Sequence, residues 1–277
     1  MHAGERYNLT MFLHREHDPT GTYAIPQTSH AWLSWQLADH WGNRRFARPA
    51  PRAEVLAAVL LHDSGWTEFD PAPTLDGNGR IRTFDHMEVA THLEIWRLCI
   101  QRAALHSRYS GLLVASHFAG LAERKTQDLL DRQDTVAART VQVFRAETDR
   151  LLAGWAETLA ADSRYAPYLE GPGRDANAQL LETCDRVSVY LCAGLGSRFR
   201  ADGKSPSGDT MPVEFEEIER DTWRVSPWPL EGDRIRLQCE GRKLQTTTFS
   251  SGDDLRAAIT NAPVVRLSFT LLRPSAH

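Results

Sequence analysis

Leu60-Leu61-His62-Asp63-Ser64-Gly65-Trp66 is the stretch on which the reading of the fold turns. The segment leading into it, Val55 to Leu61, is apolar on every side, so as a helix it must be buried. It ends abruptly in adjacent His and Asp, followed by a Gly. Burying a carboxylate costs on the order of several kcal/mol unless a cation or hydrogen bonds compensate. The ending therefore predicts a positive group beside His62 and Asp63.

On the N-terminal side, residues 1–26 are polar with Gly and Pro and read as a short strand or loop lead-in, bounded by Pro26. Thr28 or Ser29 caps a helix running to about Trp41, and Gly42 closes it. His30, Leu33, Leu37 and Trp41 share one face of that helix, which puts His30 at the start of its buried stripe. Arg44 to Pro51 is a loop.

On the C-terminal side, residues 64–82 read as a long irregular connection with Gly65, Pro71, Pro73 and Asp76-Gly77-Asn78-Gly79. A connection of that length inside a compact domain is commonly functional. It starts at His62-Asp63, so it is expected to wall the site, with Trp66, Glu68 and Asp70 as its chemically useful residues. A helix from Met87 to His106 follows, with Val89, Leu93, Trp96 and Ile100 as its stripe. His86 and His92 lie at its start, six residues apart, and so point in different directions. Exposure or capping is the simpler reading of each.

Gly111 to His117 repeats the opening theme, a short apolar helix ending in a histidine. Residues 120–160 are helical and charged, with a break near Asp134. After Gly171-Pro172-Gly173 a helix runs to Leu195, with Leu181, Cys184, Ser188 and Leu191 on one face. Asp185 lies beside that face and needs a partner there. Residues 197–211 read as a Ser/Gly/Asp linker. Thr222–Val225 and Ile235–Cys239 then alternate at period two, Glu240-Gly241 reads as a turn, 253–261 as a short helix and 264–272 as a closing strand. The expected fold is mainly α: a helical domain over 1–200 with a small β-rich extension over 201–277 packed on it.

The bulk properties narrow the function classes. With 277 residues the chain can bury a substantial core, and its 42% hydrophobic and 25% charged content is ordinary for a globular protein. A net charge of −4 argues against nucleic acid as a bulk partner. No signal pattern and no membrane-length apolar run is evident, so the cytoplasm is the expected location. The four cysteines, without a C-x-x-C pair, read as reduced buried thiols.

His30, His62-Asp63, His117 and Asp185 thus all fall on core-forming helices. Imidazole and carboxylate together suit Mn, Fe, Zn, Co or Ni. A divalent ion with an open position lowers the pKa of a bound water toward ~7. The layout resembles the HD superfamily of metal-dependent phosphohydrolases, in its H…HD…D order over residues 28–195. Trp41-Gly42, His62-Asp63-x-Gly65-Trp66, Ser116-His117, Asp185-x-x-Ser188 and the Pro-Trp-Pro segment of the tail look like an uncharacterised bacterial subfamily of it.

The resemblance implies an HD-like helical bundle holding one metal ion on His30, His62, Asp63 and Asp185. A second ion would use His117 with His86 or His92; with one ion, His117 contacts substrate or water. The expected activity is hydrolysis of a small phosphorylated substrate. Asp63 and His117 would be catalytic, and Trp66, His92, Arg124 and Lys125 would bind the substrate. The alternatives are a non-catalytic metal-containing regulatory protein and an iron-dependent oxygenase of the HD type. The expected partner is a small molecule, and a homodimer is the one assembly this reading allows for.

Overall fold

The computed structural model describes residues 12–15, 22–70, 74–81 and 87–274. The chain enters through two short strands, β1 (Phe12–Arg15) and β2 (Thr22–Pro26), paired with each other. Six helices follow: α1 (Gln27–Asp39), α2 (Arg52–Leu61), α3 (Val89–His106), α4 (Arg108–Asp131), α5 (Thr135–Ala160) and α6 (Gly171–Ala193). Then come β3 (Arg198–Lys204), β4 (Thr210–Glu219), β5 (Thr222–Ser226) and β6 (Arg234–Leu244), a short helix α7 (Gly252–Asn261) and β7 (Val264–Leu272). No described helix is long and apolar enough to cross a membrane.

The seven strands form one mixed sheet in the order β1-β2-β6-β7-β5-β4-β3, with β5 and β7 the parallel pair. This overturns the expectation of a mainly α, HD-like bundle with a small appendage: the fold is α+β with a substantial sheet. The sheet takes strands from both ends of the chain, since Thr22 to Ala24 pair with Arg242 to Leu244. A strand whose partner lies some two hundred residues away leaves no local trace of that partner in its own sequence.

Three further expectations change. Residues 197–211 are not a linker, because β3 and the start of β4 occupy most of them, with Phe199 and Ala201 buried between charged neighbours. Glu240-Gly241 is not a turn, because β6 runs straight through it. There a side chain on Gly241 would come within 3.1 Å of the Ala24 carbonyl, so the glycine lets β6 cross β2 closely. His117 does not end a helix. It sits in the middle of α4, whose Leu112 to Ala115 are all buried.

Helices α1, α2, α4 and α6 meet around the site, and α3 and α5 pack outside α4. The sheet lies against α1 and α6. Tyr190 of α6 meets Phe199 of β3 at 4.3 Å between ring centroids, and Phe199 stacks on Phe215 of β4 at 4.7 Å. The Gln36 side chain of α1 gives and takes a hydrogen bond with the Gln238 backbone of β6, at 2.7 and 3.0 Å. All four cysteines are buried and free.

Candidate metal centre

Helix α1 begins at the fixed φ of Pro26, which has no side-chain group to cap it. The backbone N–H of Gln27 instead donates to the carboxyl of Asp70, in the loop beyond α2; burial and then Asp63 raise the pKa of that carboxyl to about 8. One turn on, His30 is 1% exposed, its Nδ1 2.7 Å from Ser188 Oγ on α6. The Ser188 hydroxyl donates its proton to the Asp185 carbonyl at 2.8 Å and accepts from Ser34 Oγ at 2.8 Å. With the Ser188 proton so placed, His30 donates through Nδ1, and its Nε2 is the atom left for a bound ion or, without one, for a proton shared with Asp63. That Nε2 lies 2.7 Å from Asp63 Oδ2 and 3.9 Å from Asp185 Oδ1.

His62 follows the last turn of α2, and its Nδ1 donates to the Val59 carbonyl at 2.7 Å. Its Nε2 is buried and makes no hydrogen bond. It faces Asp185 Oδ1 at 3.4 Å and Asp63 Oδ2 at 3.7 Å. From α4, His117 Nε2 approaches Asp185 Oδ2 at 3.4 Å. The His30 and His62 rings meet edge to face at 5.2 Å, and His62 and His117 at 5.8 Å.

This donor set fits a divalent cation. One ligand atom each from His30, His62 and Asp185 lies within 4.8 Å of the others. Asp63 Oδ2 is not part of that group of three but lies beside it, 2.7 Å from His30 Nε2 and 3.7 Å from His62 Nε2. Lone pairs of two carboxylates and two imidazoles converging in a buried space repel unless positive charge lies between them. The set of imidazole nitrogens and carboxylate oxygens matches borderline transition metals rather than soft ones.

The protonation energetics carry the same message. Burial pushes the His62 pKa down, but Asp63 and Asp185 outweigh it and raise it to about 9. Burial pushes the carboxyl of Asp63 up, yet His62 and His30 hold it below its usual range. Asp185 is likewise held down, against burial, by His62, His117 and His30. His117 is different, because burial dominates and lowers it to about 4. His117 is thus a neutral imidazole at pH 7.

A cavity of about 340 Å³ opens on this centre. Its walls include Trp66, Trp96, Phe118, Leu121, Val189 and Leu195. Trp66 is held by the 3-10 turn Ser64–Glu68 that follows His62-Asp63. Gly65 in that turn presses on α3 so closely that a Cβ would lie 2.5 Å from the Ile95 carbonyl oxygen. Its backbone N–H donates to Cys99 Sγ at 3.2 Å.

The other predicted residues divide. His92 is buried and lines the cavity, its ring 5.9 Å from that of Trp66 and 4.7 Å from that of Trp96. Burial first, then Lys125, lowers its pKa to about 3. The simpler reading of His92, exposure or capping, is thereby corrected. Arg124 lines the rim, paired with Glu182 of α6 at 3.2 Å. Lys125 acts on His92 but is not among the lining side chains. Glu68 turns outward to Arg102. His86 lies outside the described residues. Ser34 and Arg186 are the residues that the sequence reasoning missed. The Ser34 signal was present, since it follows His30 by one helical turn, but Arg186 looks like any surface cation in sequence.

The family described as protein of unknown function (DUF3891) matches residues 12–246. No curated protein and no solved structure matches the chain.

Proposed function

The chain belongs to the DUF3891 family, and from the centre its own residues build we propose that it is a metal-dependent hydrolase of small phosphate esters. The observation that carries this reading is His62 Nε2, buried without a hydrogen bond, facing two carboxylates at the base of an apolar cavity. The order of His30, His62-Asp63 and Asp185, which resembles the HD superfamily, supports it.

His30, His62, Asp63 and Asp185 would hold one divalent transition metal. When bound, such an ion supplies Lewis acidity toward a phosphoryl oxygen and acidifies water. The protein's own contributions follow from the geometry. Ser188 and Val59 fix the two imidazole tautomers. Asp63, ionised and held against His30, can orient a water through its second oxygen. His117, neutral and across Asp185 from His62, can take or return a proton. Trp66, His92 and the apolar wall exclude bulk water, which strengthens every charge interaction inside. Arg124 reaches the rim as the guanidinium for a phosphate.

Metal analysis with an ester panel tests this. About one ion per chain is expected, lost in both His62→Ala and Asp63→Ala. Hydrolysis of phosphomonoesters or phosphodiesters should follow Mn or Co loading. Full metal retention in both variants sinks the centre; a loaded protein inert to every ester sinks the hydrolase. An iron-dependent oxygenase is the second reading, favoured by His92, which joins His30 and His117 as a third histidine lining the cavity. Two irons per chain with visible absorbance would select it.

A further inference from the structure

We propose that the cavity selects a small ester with one apolar, aryl-sized substituent and a single negative charge, and that the Arg124–Glu182 pair sets this charge preference. The inference rests on the hydrolase reading and narrows its substrate.

Three observations combine. The first is size: about 340 Å³ is at the small end of ligand cavities, which run roughly 300–1,000 Å³. The second is the wall. Apart from the ionisable groups at the centre and rim, Gln27 and Tyr190 are the polar side chains lining it, against six large apolar ones. A nucleobase would leave most of its hydrogen-bonding edge unpaired against such a wall.

The third is charge. The carboxylates of the lining are Asp63, Asp185 and Glu182, and its guanidinium groups are Arg124 and Arg186. Arg186 is already engaged, donating to the Arg200 carbonyl at 3.1 Å and lying 5.3 Å over the Tyr190 ring. Arg124 is neutralised by Glu182 at 3.2 Å. With a divalent ion on the histidines and aspartates, the lining carries one net positive charge. A phosphodiester monoanion matches it, whereas the second charge of a monoester meets Glu182. Long-range repulsion of that kind is what discriminates between ligands of equal shape.

The test is calorimetric binding of probes that carry no ester bond or only methyl esters, methoxide being a poor leaving group, to the metal-loaded protein, beside hydrolysis of the matching aryl esters. Methyl phenylphosphonate is the apolar monoanion, phenylphosphonate at alkaline pH the dianion, and dimethyl phosphate the monoanion without an aryl group. The first is expected to bind at least about tenfold tighter than either of the others, one decade being about 1.4 kcal/mol. Glu182→Gln, at a half-exposed position, should close most of the gap to phenylphosphonate. Equal or tighter binding of the dianion, no response to Glu182→Gln, or equal binding of dimethyl phosphate overturns the proposal. The hydrolase reading fails separately: probes that bind in the expected order while no ester is cleaved leave the selectivity standing without the catalysis. Cleavage with the reverse preference does the opposite.

Discussion

His62 concentrates the problem at the residue scale. Its Nδ1 is satisfied by its own helix, so the chain has left Nε2 nothing to bind except what Asp63 and Asp185 attract. In the metal-free protein that is a proton, and the raised pKa measures the attraction. The linkage has a definite sign. A group raised from 6.5 to about 9 contributes stability fully below pH 6.5 and loses it as pH climbs through about 9. The chelated protein should therefore lose several degrees of Tm across that window in thermal melts. A saturating divalent ion replaces the proton and should flatten the slope, adding about 2.7 kcal/mol at a hundredfold excess over Kd. The depressed carboxyls of Asp63 and Asp185 describe the same attraction from the other side, lost only as pH falls through their folded values. A chelated protein with a flat Tm from pH 6.5 to about 9 would mean that His62 does not carry this charge.

At the element scale, the centre is accurate because helices lock one another. α1 is tied to α6 by the Ser34–Ser188–His30 chain of hydrogen bonds, and its N-terminus is capped by Asp70 from the loop after α2. Ser188→Ala leaves the His30 Nδ1–H buried without an acceptor, at a cost of about 1–3 kcal/mol. Metal affinity should fall about 10–100-fold, as for other groups that orient a ligand; titration against a competing chelator reads this directly. The turn after α2 is fixed by contact with α3. In Gly65→Ala the new methyl would meet a backbone oxygen at 2.5 Å, and α3 can yield only by moving Trp96 and Cys99. A loss of about 2 kcal/mol or more in urea unfolding is expected, with reduced metal content.

The whole molecule is closed by its sheet. β2 pairs with β1 on one side and β6 on the other, so the strand that delivers the chain into α1 is held by residues near the other end. Gln36 adds a second tie between α1 and β6. Truncation after Lys204 removes β6, the C-terminal partner of β2, and uncovers Phe199 of β3, which stacks on Phe215 of β4. Such a fragment should lose cooperative unfolding and metal binding together, measurable by near-ultraviolet circular dichroism and metal content. A truncated chain that still melts sharply and holds its ion would show that the helices stand without the sheet.

Residue chemistry and helical period are local properties, and they were enough to single out His30, His62, Asp63, His117 and Asp185 and to place each on an apolar helix. The expense of a buried carboxylate is legible wherever an apolar run ends in His-Asp. The apolar alternation of β5 and of the first half of β6 was legible for the same reason, and 264–272 read as a strand. Tertiary structure alone decided that β1 and β2 join the C-terminal strands, because strand pairing is a contact between residues far apart in sequence. It alone placed His117 inside α4 and turned His92 into the cavity, since burial depends on what packs over a helix face. It alone paired Arg124 with Glu182, because a surface cation becomes a selective one only through the neighbour that folding brings to it.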